Sequence, residues 1–96
     1  MKVFISYSTK DLSDVQTLQA SLADSPIDLF VAENSVVPSE SLSEKITNNI
    51  QTCNLFVVVW SSNAKGSDWV SQEVGQAIAL KKTILPIILD DCGQLP

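Results

Sequence analysis

Residues 55–89 read LFVVVWSSNAKGSDWVSQEVGQAIALKKTILPIIL, and the fold turns on how this stretch divides. Its ends, LFVVVW at 55 to 60 and TILPIIL at 83 to 89, are continuous runs of β-branched, aliphatic and aromatic residues without polar alternation. That is the pattern of strands covered on both faces. Between them Val70, Val74, Ala77, Ile78 and Lys81 recur at helical spacing as an inward stripe, with Ser67 or Asp68 as the cap. Strand, polar loop, helix and strand in succession form a crossover unit, which joins parallel strands with a right-handed twist.

Working outward, the same division holds upstream. VFIS at 3 to 6 and DLFVA at 28 to 32 are two more strand-like runs. Leu12, Val15, Leu18 and Leu22 mark a helix that Ser25-Pro26 ends, and Leu42, Ile46, Ile50 and Cys53 mark another, opened by Ser41 and Glu44 in the form of a capping box. The order is βαβαβαβ, which implies a doubly wound α/β domain: a parallel sheet with helices on both faces. Pro86 lacks an amide donor, so it is expected at a bulge or an exposed edge. The chain reads as one domain over residues 1–96, with no internal repeat. Because such domains commonly continue with a further helix and strand, it is expected to be truncated at its C-terminus or to be a fragment of a longer protein.

Composition narrows the function classes. Eleven acidic residues against six basic ones give a net charge of -5, which repels nucleic acid and anionic membrane surfaces. The apolar runs are far shorter than the roughly 20 residues that cross a bilayer, and no secretory signal is recognisable at the start. A cytoplasmic location is the expectation. Cys53 and Cys92 have no partner ligands at metal spacing and are read as reduced, Cys53 as a small buried apolar residue. The chain has no histidine, which removes Ser-His and Cys-His nucleophiles and the ordinary zinc site. No metal site is expected, and any chemistry must use carboxylates, hydroxyls or lysine.

Ligands of open parallel sheets bind beyond the carboxyl ends of the strands, where the strand order reverses. With a flavodoxin-like order that point lies between the first and third strands. It is flanked by Tyr7-Ser8-Thr9-Lys10, by Ser61 to Ser67 and by the long connection Glu33 to Ser41. Trp69 and Glu73 lie four residues apart on one flank of the helix that starts in this mouth, beside its inward stripe. A carboxylate there is partly dehydrated and positioned to meet a ligand. On spacing alone the ordinary readings come first: Glu73 as a solvated residue favoured by the helix dipole, Trp69 as a core or rim aromatic and Lys10 as a solvated surface charge, while Tyr7, Ser8 and Thr9 are equally typical of a strand-to-helix turn.

Three segments in register resemble a known family, the Toll/interleukin-1 receptor (TIR) domain, particularly its bacterial and archaeal type. VFISYSTKD at 3 to 11 is similar to the family's first-strand box, LFVAENSVVPSESLSEKI at 29 to 46 to its second strand and BB loop, and VVVWSSNAKGSDWVSQEVGQAIALKKTILPIIL at 57 to 89 to its third strand, W-x-x-x-E helix and fourth strand. The resemblance implies a flavodoxin-like fold with strand order 2-1-3-4, the fifth strand and last helix being absent here. It also implies one of two functions: cleavage of the bond between nicotinamide and ribose in NAD, with hydrolysis or cyclisation of the product, or non-enzymatic scaffolding by association with other TIR domains.

Carried over residue by residue, the resemblance makes Glu73 the catalytic carboxylate, which steadies positive charge on the sugar. Tyr7, Ser8, Thr9, Lys10, Ala32, Ser61 and Trp69 are then substrate-binding, with Lys10 offsetting the diphosphate charge. The BB loop, Glu33, Asn34, Ser35, Val36, Val37, Pro38 and Ser39, would mediate self-association. NAD enters as substrate and no cofactor is expected. The expected partners are other copies of the chain and a fused or partner sensor domain, in a setting of prokaryotic antiviral defence. Two departures stand out: Ala32 replaces an acidic residue often found there, and Pro38-Ser39 replaces Pro-Gly. With glycines only at 66, 75 and 93, the chain also lacks a G-x-G-x-x-G phosphate cradle, which argues against a dehydrogenase. Nor does a pair of acidic residues follow the first strand, as a magnesium-holding receiver domain requires. Asp90 and Asp91 follow the fourth strand and are read as a solvated turn.

Overall fold

A computed structural model describes residues 1–31 and 40–89, with side chains from residue 46 onward in the second segment. Four strands, β1 (Lys2–Ser6), β2 (Asp28–Val31), β3 (Leu55–Trp60) and β4 (Ile84–Ile88), form one parallel sheet in the order β2-β1-β3-β4. The helices are α1 (Leu12–Ser21), α2 (Glu40–Thr52), α3 (Ser62–Lys65) and α4 (Asp68–Ala79), and a 3-10 turn over Thr9–Asp11 precedes α1. This is the flavodoxin-like α/β arrangement expected, with Pro86 on an edge strand as its missing donor requires. Two short elements went unforeseen, the 3-10 turn and α3. Both are capped by serines: Ser8 Oγ accepts from the Lys10 amide at 3.3 Å, and Ser61 Oγ from the Ala64 amide at 3.1 Å.

The period of two along a strand divides the interior into two cores. Phe4 of β1 and Phe56, Val58 and Trp60 of β3 face α2, α3 and α4, and pack with Ile46, Ile50, Ala64, Val70, Val74 and Ala77. Val3, Ile5, Tyr7, Val57 and Val59 face the other way, onto Val15 of α1. In register across three strands, Phe30, Phe4 and Phe56 form a ladder, with centroid separations of 5.2 and 5.3 Å. Such pairs add to the burial of the rings themselves.

The expectation of strands covered on both faces holds for β1 and β3 and fails at the edges, since β2 and β4 have no fully buried residue. Leu85 and Ile88 of β4 are exposed, and an apolar groove of about 200 Å3 runs between α1 and the sheet, lined among others by Leu18, Leu22, Leu55, Leu85 and Ile87.

Three expected core positions are corrected. Leu12 is 41% exposed because Asp11 and Val15, four residues apart, take the inward direction at the start of α1. Ile78 is 56% exposed because the buried stripe of α4 is Val70, Glu73, Val74 and Ala77, rotated toward Glu73 and away from Ile78. Lys81 lies beyond the end of α4. There it takes φ 57° in a Schellman-type stop, with its amide donating to the Ile78 carbonyl and the Lys82 amide to the Ala77 carbonyl, both at 3.0 Å. Helix α1 likewise ends at Ser21, ahead of Ser25-Pro26, and α2 begins at Glu40, one residue before the expected capping box at Ser41, whose side chain lies outside those described.

A left-handed residue with a Cβ is strained, and a helical glycine is entropically costly. Lys81→Gly should therefore raise stability by about 1 kcal/mol. Gly75→Ala, where an added Cβ would meet nothing within 4 Å, should add about 0.5–1 kcal/mol. Urea denaturation of the single and double variants measures both, and the two gains should add.

Candidate active site

Ser67 starts α4 by accepting a hydrogen bond from the Val70 amide at 3.3 Å. One turn later, Glu73 lies inside the buried stripe, only 2% exposed, rather than beside it as its flank position suggests. Its Oε1 accepts a 2.7 Å hydrogen bond from the hydroxyl of Ser6, the last residue of β1, which is itself fully buried. Its Oε2 is buried and has no hydrogen-bond partner among the described residues, and the same holds for the indole N–H groups of Trp69 and Trp60. Burial drives the Glu73 pKa from the ordinary 4.5 up to about 7. The Ser6 hydrogen bond and the nearby Trp69 indole, which stops short of hydrogen-bond geometry, oppose that rise.

Glu73 and the half-buried Trp69 open onto a pocket of about 70 Å3 between α2 and α4. Its other described lining residues are Ile46, Thr47, Gln72 and Gln76. Thr47 donates to the Gln76 side-chain carbonyl at 3.3 Å. The lining thus combines one dehydrated carboxyl, an aromatic wall and neutral hydrogen-bonding groups, which suits a polar ligand carrying hydroxyls or positive charge.

The other expected residues are distributed differently. Tyr7 is buried in the α1-side core, across the sheet from Glu73, as strand alternation from Ser6 requires. Ser8 is buried and caps the 3-10 turn, whereas Thr9 and Lys10 are exposed at the carboxyl end of the sheet. Ser61 is 1% exposed and its hydroxyl is engaged twice, accepting from Ala64 and donating to Asp11 Oδ2. Asp11 Oδ1 also accepts from Asn63 at 2.9 Å. Ala32 and the expected BB loop, Glu33 to Ser39, lie outside the described residues.

Two polar residues of this region were missed in the sequence. Ser6 was legible in principle, since it lies in phase with Phe4 and so faces the helix that carries Glu73. Asp11, 5% exposed, ties the loop after β1 to the loop after β3 and had no such signal, because its partners Ser61 and Asn63 are about fifty residues away in the chain. No helix among the described residues is long and apolar enough to cross a membrane.

Residues 3–96 match the family described as TIR domain. No curated protein gives a significant match. Among solved structures, the chain is similar to the TIR domain of the Toll-related receptor TRR-2 from Hydra magnipapillata, with 26% identity, TM-score 0.79 and coverage of 98% of this chain and 74% of that one. It is also similar to the TIR domains of the activated Roq1 resistosome that recognises the pathogen effector XopQ, with 22% identity, TM-score 0.75 and coverage of 91% of this chain and 56% of that one. A third similar structure is the CMP N-glycosidase BcmB of Clostridium botulinum, with 19% identity, TM-score 0.69 and coverage of 92% and 69%. The family match spans nearly the whole sequence, and the strand order and helices agree with its fold: the chain belongs to the TIR domain family.

Proposed function

We propose that this TIR domain cleaves the N-glycosidic bond between nicotinamide and ribose in NAD, with Glu73 as its catalytic residue. The observation that carries this reading is a carboxyl group 2% exposed that lines a pocket walled by Trp69, with one oxygen held by Ser6 and the other without a hydrogen-bond partner among the described residues. When the bond breaks, its electron pair passes to the ring nitrogen and nicotinamide leaves neutral, so no strong acid is needed. The sugar carbon becomes an oxocarbenium ion, and an ionised Glu73 a few ångströms away in a water-poor site stabilises it. Water then adds to that carbon and loses a proton to solvent, giving linear ADP-ribose, or the adenine ring adds and gives a cyclic product.

The fold supports such chemistry in a general way, since a similar structure is named as an N-glycosidase and another as a 2-desoxiribosyltransferase from Leishmania mexicana. Lys10 and Thr9, exposed beyond the end of β1, are free of the sheet core to meet a diphosphate, and Ser61 serves by holding the mouth in shape. The resistosome neighbour supports self-association as the condition for activity, with residues 33–39 contributing to contacts between copies. The resemblance of the motifs to bacterial and archaeal members supports a cytoplasmic, signal-producing role in antiviral defence.

The test is nicotinamide release from NAD by concentrated or artificially clustered protein. Glu73→Ala should lower kcat by about 100-fold or more. Equal turnover by both proteins would overturn the role of Glu73, and no turnover by either under clustering would favour the scaffold function. Because the free protein must ionise Glu73 to act, kcat/KM should rise with pH through about 7.

Stability should move in the opposite sense. The folded carboxyl binds its proton more tightly than the unfolded one, so its contribution is complete below pH 4.5 and is lost as pH rises through about 7. Melting curves should show Glu73→Gln gaining on the wild type across that window and exceeding it above pH 7 by about 1–3 kcal/mol.

A further inference from the structure

We infer that Ser6 is a positioning residue of the Glu73 site: its hydroxyl occupies one oxygen of the carboxyl group and thereby presents the other to whatever enters the pocket. The inference rests on the reading of Glu73 given above.

Ser6 is fixed by β3 on one side and by the doubly paired residue before it. It pairs with Val58 of β3, and the residue before it, Ile5, pairs with Val57 of β3 and Val31 of β2. Its backbone therefore cannot follow a moving side chain. The serine hydroxyl has one proton to donate, and it goes to Glu73 Oε1 at 2.7 Å. Because Oε1 acts as acceptor, a proton carried by Glu73 resides on Oε2, the oxygen without a partner. Ionisation spreads the charge over both oxygens, and with Oε1 engaged by Ser6, Oε2 is the acceptor left for an entering ligand. The last torsion of a glutamate is otherwise broad, and without the hydroxyl the group would rotate between the two directions.

Among the described residues Ser6 gives the carboxyl group its one full hydrogen bond, while the Trp69 indole stands near it short of hydrogen-bond geometry. Ile46 and Thr47 of α2 and Trp69, Gln72 and Gln76 of α4 line the pocket with no charge. The strand residues packed against α4, Phe4, Phe56, Val58 and Trp60, are apolar, and Lys65 of α3 and Asp68 at the start of α4 are exposed.

The experiment compares wild type, Ser6→Ala and Ser6→Cys, in which a thiol of similar size donates weakly. Two readouts are taken: the titration of the Glu73 carboxyl carbon by NMR on glutamate-labelled protein, assigned by its loss in Glu73→Gln, and the pH profile of NAD cleavage by clustered protein. Loss of a hydrogen bond to the ionised form should raise the Glu73 midpoint in Ser6→Ala by about one pH unit, with Ser6→Cys between. The acid limb of kcat/KM should move by the same amount, and kcat should fall by about 10-fold with a smaller change in KM. An unchanged Glu73 midpoint in a folded Ser6→Ala protein overturns the inference, as does a shifted midpoint with wild-type kcat and pH profile. A shifted midpoint in a protein whose wild type does not cleave NAD overturns the proposed function alone and upholds the hold of Ser6 on the carboxyl group.

Discussion

Strand β1 has a hydrogen-bonded neighbour on each edge and a packed core on each face, so Val3, Phe4 and Ile5 are paired on both sides and Ser6, next to them, is paired with β3. Lateral pairing fixes the height of each residue, and the pleat fixes its side. Phe4 must therefore meet α2 and α4, Ile5 must meet α1, and Ser6 must return to the α4 side one step nearer the carboxyl edge. A serine at that place sets a hydroxyl at the rim of the helical layer with no freedom of the main chain. The position of Glu73 depends on it, since α4 is laid on the sheet by Val70, Val74 and Ala77, and the remaining buried position of its stripe falls opposite Ser6.

A carboxyl group dehydrated to this degree is costly to ionise unless it is paired or hydrogen-bonded. Here, among the described residues, it has one full hydrogen bond, from Ser6, the Trp69 indole nearby and no cation, so burial pushes its pKa up to about 7. Such a group responds to a cationic ligand: positive charge brought into the pocket favours the ionised form, and the ionised form stabilises the charge. The contrast lies in Asp11, also buried, whose two oxygens are both taken by Ser61 and Asn63. One carboxylate is spent on joining two loops, and the other keeps an oxygen without a hydrogen-bond partner among the described residues.

Much of the fold was legible in the sequence because hydrophobic periodicity reports burial. The four apolar runs became the four strands, and the Val70, Val74 and Ala77 stripe became the buried face of α4. What misled was polar burial. Leu12 and Ile78 were assigned inward because periodicity counts only apolar residues, whereas Asp11 and Glu73 occupied the inward directions and displaced them. Lys81 fits the helical spacing, but spacing cannot register a left-handed stop. Trp69 and Glu73, read on one flank of the helix, line the same pocket. Tyr7 was placed among the ligand-binding residues although alternation turns it to the far side of the sheet, and Ser6, the residue in phase with the pocket, was passed over.

Strand β1, one of the two central strands, precedes in the chain everything it packs against. Its two pairing partners and the helix that closes over it all come later in the chain, and the contact between Ser6 and Glu73 spans 67 residues. Closing loops of that length carries an entropic cost before any contact compensates for it, so assembly of this topology is slow relative to helical domains of equal size. A partly assembled chain, with β1 unpaired on either edge, has neither the ladder that holds the serine nor the helix that carries the glutamate. The pocket thus exists only in the fully folded protein, and a nascent or unravelled copy lacks it.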